Sequence, residues 1–221
     1  MRNSSQAMTR RLIAAVAVVM VFPVASAYAA VHVIPPDHYP PTCEPDGLAL
    51  QGDAADDEMD GTPQRDLFRG GRGMDTIRGF GEADCLFGQL DFDNVDGGSA
   101  ADRIFGGRGP DTLRGGEGND EVRGNRDGDG IIGGRGRDLL HGNKGADDLR
   151  GNEGRDRLYG DPGSDMLRGH ASGDYIAGDT GQDMIRDLRG HNRIVCGQGF
   201  DRVLTNQQSV VAASCERVRR R

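Results

Sequence analysis

The chain contains no tryptophan, and aromatic residues make up only 5% of it. It has 36 glycines instead. That balance fits either a disordered chain or a repeat fold in which glycine supplies tight turns, and periodicity has to decide between them. The common catalytic signatures are missing: there is no G-x-S-x-G, no P-loop and no H-E-x-x-H. The histidines, at 32, 38, 141, 170 and 191, show no metal-ligand spacing and read as solvated surface residues. Four cysteines occur without a C-x-x-C, so disulfides are a stronger reading than zinc. Basic charge is in deficit, with 27 Lys and Arg against 35 Asp and Glu. This argues against a nucleic-acid binder and suits a chain that must hold cations.

Long apolar runs are also lacking, with one exception. Leu12 to Val24 is almost wholly apolar; it follows Arg2, Arg10 and Arg11 and precedes the small residues Ala25 to Ala30. A basic start, a short apolar run and an A-x-A-like site predict a secretory signal peptide over residues 1–29, cleaved after Ala27 or Ala29. The alternative is an uncleaved N-terminal anchor, although the run is short for a membrane span. The mature chain is then expected outside the cytoplasm, without a transmembrane segment. Its formal charge is −11, from 24 basic and 35 acidic residues.

What the chain does have is a period. Cut every nine residues from Gly52, the frame holds without a gap to Leu204, giving seventeen units. Position one is Gly in fifteen; Asp187 and Cys196 are the exceptions. Position six is Asp in sixteen, with Asn192 in the other, and position eight is apolar in all seventeen. Position four is Gly in only ten. Gly70-Gly71-Arg72-Gly73-Met74-Asp75-Thr76-Ile77-Arg78 is the cleanest unit.

This pattern resembles the RTX, or haemolysin-type, calcium-binding nonapeptide G-G-x-G-x-D-x-U-x, where U is apolar. The chain is similar to small secreted actinobacterial proteins made of such repeats with little else attached. The resemblance implies an all-β parallel β-roll, here of about eight and a half coils, with several bound calcium ions. It also implies a disulfide cap at each end, Cys43 with Cys85 and Cys196 with Cys215. Of the three connectivities that four cysteines allow, this is the most local.

The chemistry of each position agrees. The first six residues turn the chain, and the last three form a short strand whose position eight points inward. Two nonamers complete a coil, so like turns stack eighteen residues apart. Calcium takes six to eight oxygens from carboxylates and carbonyls. A glycine-rich turn exposes carbonyls, and the Asp at position six adds a carboxylate. Coils stack about 4.8 Å apart, so without cations each edge is a self-repelling ladder of carboxylates. Calcium is therefore expected to be a folding partner.

The units beginning at Gly52, Gly61, Gly79, Gly88 and Gly97 carry Ala55, Gln64, Glu82, Asp91 and Ala100 at position four. Residues 52–105 are thus expected to bind poorly or not at all, and residues 106–186 to hold the best sites. The predicted ligands are Asp75, Asp111, Asp120, Asp129, Asp138, Asp147, Asp156, Asp165, Asp174 and Asp183. Asp187 and Asn192 put the penultimate turn in doubt. Asn125 to Gly130 looks like the start of an EF-hand loop, but position twelve is Gly136, where that loop needs Glu; a repeat variant is the better reading.

Residues 30–51 and 205–221 are read as an N-terminal cap and a C-terminal cap with a basic tail. Position nine points outward. On one sheet it reads Arg78, Asp96, Arg114, Ile132, Arg150, Arg168 and Arg186. This is either a solvated face balanced by nearby Asp or a strip for an anionic cell-envelope polymer. On the other sheet Phe87 and Phe105 lie near Cys85, and the Cys43 segment is expected to cover them. The expected function is a secreted, non-enzymatic calcium-binding protein with a structural or interaction role. The alternatives are an envelope-binding adhesin and, with few residues ahead of the repeats to form a catalytic domain, a remnant of an RTX exoenzyme or toxin.

Overall fold

The computed structural model describes the backbone of residues 32–33 and all of residues 43–221; the predicted signal peptide lies outside the described residues. Alternation along each short strand sets the architecture. Position eight turns inward and its neighbours outward, so strands such as Arg103–Arg108, Glu121–Arg126 and Leu139–Lys144 read buried only at Ile104, Val122, Leu140 and the glycine two residues on. These strands pair in parallel with partners eighteen residues away: Val122 lies beside Ile104 and Leu140. The intervening strands, such as Thr112–Glu117, Gly130–Arg135 and Asp148–Glu153, form a second sheet in the same register. The chain thus winds as a β-solenoid with two long sheets of eleven and ten strands and no helix among the described residues. All seventeen position-eight side chains, from Met59 to Val203, are buried in one continuous core between the sheets.

The roll has about ten coils, more than the eight and a half expected. Ala49–Gln51 extends the first sheet, with Leu50 beside Phe68, and His32–Val33 adds an antiparallel strand to it. At the other end Val210–Val211 continues the first sheet and Arg217–Arg220 the second. The core requires this. An open end would leave Phe68 or Ile194 against water, and Leu50 and Val211 pack on it instead. These strands lack the Gly and Asp marks of the repeat, so the period does not reveal them.

Both ends are bridged as the resemblance implied: Cys43 to Cys85, with Cα atoms 5.8 Å apart, and Cys196 to Cys215, 5.1 Å apart. Cys43, Ala49, Leu67 and Cys85 form a small apolar cluster outside the first sheet, and Phe87 packs against it. Phe105 follows Phe87 one coil further on. It stacks on Phe87 at 4.9 Å, and the Arg123 guanidinium lies over its ring. The bridged residues are 42 and 19 positions apart, so each bridge is expected to contribute about 3–4 kcal/mol by chain entropy. Peptide mapping without reduction should recover these two pairs, and reduction should lower the melting temperature. Free thiols in the isolated protein would contradict the caps.

Candidate metal centres

From Arg103 to Glu153 the strands run through positions seven, eight, nine, one, two and three, six residues where three were expected, so only positions four to six lie between strands, and position six gives these turns their regularity. The backbone N–H of each Asp donates to Oδ1 of the Asp one coil further on. Along one edge, Asp111 donates to Asp129 (2.8 Å), Asp129 to Asp147 (2.7 Å), Asp147 to Asp165 (2.9 Å) and Asp165 to Asp183 (2.9 Å). Along the other, Asp120 donates to Asp138 (3.0 Å), Asp138 to Asp156 (3.0 Å) and Asp156 to Asp174 (2.9 Å). One carboxylate oxygen is therefore a structural rung.

The second oxygen has no such role. Oδ2 of all ten predicted ligands is buried without a hydrogen-bond partner. It packs over position one of its own turn, where a Cβ on Gly142 would stand 2.4 Å from Oδ2 of Asp147. This is why position one is glycine. A buried, unpartnered carboxylate oxygen is costly, and a column of them fits a bound cation. Among the described residues no three His, Cys, Asp or Glu side chains gather at one point. A cation there would draw further oxygens from turn carbonyls, a hard-oxygen set of the kind calcium prefers; the same point over Gly142 lies 2.8 Å from the Gly160 carbonyl oxygen.

Burial is the main cause that drives these carboxyls above their ordinary range. Neighbouring Asp charges add to the rise at several of them, and the rung hydrogen bonds oppose it. Asp129 and Asp165 are pushed up to about 8, Asp138 and Asp174 to about 7, and Asp111, Asp120, Asp147, Asp156 and Asp183 to about 6. Asp75 is raised to about 6 for the same first reason.

The ladder continues into residues 52–105, although Oδ2 of Asp57 and Asp66 accepts from the Asp53 and Thr62 amides (3.0 and 2.6 Å). Asp84, Asp93 and Asp102 also hold the rung geometry and bury an unpartnered Oδ2. What separates the units is the backbone at position four. Gly73, Gly109, Gly118, Gly136, Gly145, Gly154, Gly181 and Gly199 have φ between 110° and 153°, a region that side chains resist. A Cβ on Gly154 would lie 1.4 Å from the carbonyl oxygen of Gly136, so these turns nest directly on one another. Asp91 and Ala100 instead sit at φ 75° and 74°. Asp127 and Ser172 do the same at 70° and 80°, so the turns of Asp129 and Asp174 depart from the others in residues 106–186.

Several features escaped the period. Position two is left-handed in most units, which explains its Gly, Asn and Asp residues; Phe80 and Gln89 are held there too, at φ 73° and 89°. The recurring Asn and Asp were a readable sign of this. Past the last repeat, Oγ of Ser209 accepts from the Asn192 amide (3.4 Å) and Oε2 of Glu216 from the Asp201 amide (3.0 Å), so the C-terminal cap extends both ladders. Asn125 and Arg126 end a strand and Asp129 is a rung, so this segment is a repeat and not an EF-hand loop. His141 is more than a solvated surface residue: it stacks on Tyr159 and bonds to Asp161 at 2.9 Å.

A family model of the RTX calcium-binding nonapeptide repeat matches in overlapping segments, 60–95, 96–131, 124–158, 132–167, 150–185 and 168–203. No curated protein and no solved structure matches the chain. The family is one of calcium-binding repeats, consistent with several bound ions, and not a catalytic one. With its nine-residue frame, its two parallel sheets and its paired carboxylate ladders, the chain belongs to the RTX calcium-binding nonapeptide repeat family.

Proposed function

We propose that the protein works outside the cell as a calcium-assembled structural or interaction module without catalytic activity. One observation carries this reading: the column of buried Asp Oδ2 atoms without partners. Bound calcium supplies the counter-charge those carboxylates lack. The proposed ligands are Asp75, Asp111, Asp120, Asp129, Asp138, Asp147, Asp156, Asp165, Asp174 and Asp183, completed by turn carbonyls. Two disulfides with no free cysteine among the described residues support an oxidising compartment. Calorimetric titration should show several calcium ions per chain with affinities near the millimolar range of extracellular modules. Magnesium, which demands tighter octahedral geometry, should substitute poorly. Absence of calcium uptake would overturn the reading.

A second reading, binding to an anionic envelope polymer, has one observation in its favour. Burial first, and then Arg168, Arg150, Arg189 and Arg186, hold His170 below its ordinary pKa, which marks a positive patch on the second sheet. Part of the Arg column is already neutralised. Arg78 pairs with Glu58 (2.9 Å) and Asp60 (2.8 Å), and Arg150 with Asp148 (2.6 Å). Salt-sensitive retention of the calcium-loaded protein on immobilised poly-glutamate would support the polymer reading, and no retention at low salt would remove it.

A further inference from the structure

The penultimate repeat breaks the motif twice, with Asp187 at position one and Asn192 at position six. The two departures are complementary. In a regular turn, one Asp does two jobs: Oδ1 accepts the rung hydrogen bond and Oδ2 remains as a buried anionic oxygen. Here the jobs are divided. Oδ1 of Asn192 accepts from the Asp174 amide at 2.9 Å, continuing the ladder, while its Nδ2 donates to the Arg189 carbonyl at 2.6 Å. An amide cannot supply the negative oxygen.

Asp187 supplies it. Its side chain is 1% exposed. Its Oδ1 accepts from the Arg189 amide at 3.2 Å, and its Oδ2 is buried and makes no hydrogen bond of ordinary geometry, although the Gly169 and His170 amides and the Asn192 side chain lie close enough to favour its charge. A Cβ built on Gly169 would stand 2.3 Å from Oδ2 of Asp174 and 2.4 Å from Oδ2 of Asp187. The two carboxylates therefore converge between the Asp174 turn and the next turn on the same edge. The gap keeps two carboxylates, as between Asp156 and Asp174, although one now comes from position one. We infer that Asp187 is a calcium ligand that replaces the missing position-six carboxylate, so that the penultimate turn still holds an ion. This inference rests on the calcium reading above.

The test uses the full chain and calcium alone. Asp187→Asn keeps the shape of the side chain and removes its charge. It is expected to lower calcium stoichiometry by one ion, and to lower the melting temperature in calcium but not in chelator at acid pH. The double variant Asp187→Gly, Asn192→Asp restores the regular motif and should recover the wild-type stoichiometry. Unchanged stoichiometry in Asp187→Asn would overturn the inference, and so would a double variant that still lacks an ion. An equal loss of stability with and without calcium would show that Asp187 only braces the turn. If the wild-type chain takes up no calcium, the broader reading fails instead, and the two failures are distinguishable.

Discussion

In chelator at about pH 8, the protein is expected to lose most of its β-sheet circular dichroism, and acidification to about pH 5 without calcium is expected to restore part of it. The ladder Asp carboxyls from Asp75 to Asp183 lie at about 6 to 8 in the fold, above the 3.8 of an ordinary Asp, chiefly because burial disfavours their charge. The fold without metal therefore binds more protons than the unfolded chain across this window. By linkage, its stability is full below about pH 4 and falls as pH rises through 6 to 8. Calcium reverses the dependence. It requires ionised carboxylates, so its affinity should rise with pH over the same interval. The melting temperature should fall with pH in chelator and fall less, or rise, in calcium. Loss of structure on acidification in chelator would show that the ladders are not strained by their own charge. A spectrum insensitive to chelator at pH 8 would show that the fold does not depend on the ions.

Asp147→Ala is expected to lower calcium stoichiometry and raise the calcium midpoint for folding, while Asp93→Ala changes both much less. The two residues look alike as rungs: Asp147 accepts from the Asp129 amide at 2.7 Å and Asp93 from the Asp75 amide at 3.0 Å. Either substitution removes a buried hydrogen-bond acceptor, so each should cost about 1–3 kcal/mol through the stranded amide. Their turns differ. Gly145 has φ 153° and nests on the Asp127 carbonyl below it, whereas Asp91 stands at φ 75°. An ion between coils draws on the turns on both sides; Gly163 of the Asp165 turn nests on the Gly145 carbonyl, whereas the Asp129 turn carries Asp127 at φ 70°. Losing the Asp147 carboxylate should therefore disturb chiefly the ion on the Asp165 side. Calorimetry on both variants measures the difference, and equal losses of stoichiometry would mean that the turns of residues 52–105 bind calcium as well as the others.

Sequence alone determined the solenoid, its inward face, its register and the carboxylate ladders. Each rests on a residue type whose local physics admits one placement: glycine where the chain must turn tightly, an apolar side chain at position eight, and Asp where a turn can use its oxygen. Seventeen repetitions in phase made those constraints legible without any contact being known. The coordinates decided what depends on a neighbour eighteen residues away. They assigned one Asp oxygen to a rung and left the other bare. They separated Gly145 from Asp91 by backbone angle, although the two carboxylates above them look the same. They placed Leu50, Ser209 and Glu216 in continuation of columns that no local pattern announces. Asp187 and Asn192 show the reason most directly. As letters they are two faults in a motif; stacked against Asp174 and Gly169, they divide between them the work of one carboxylate. A one-dimensional pattern records which residue stands at a position, whereas the function of a stacked turn belongs to the gap between two coils.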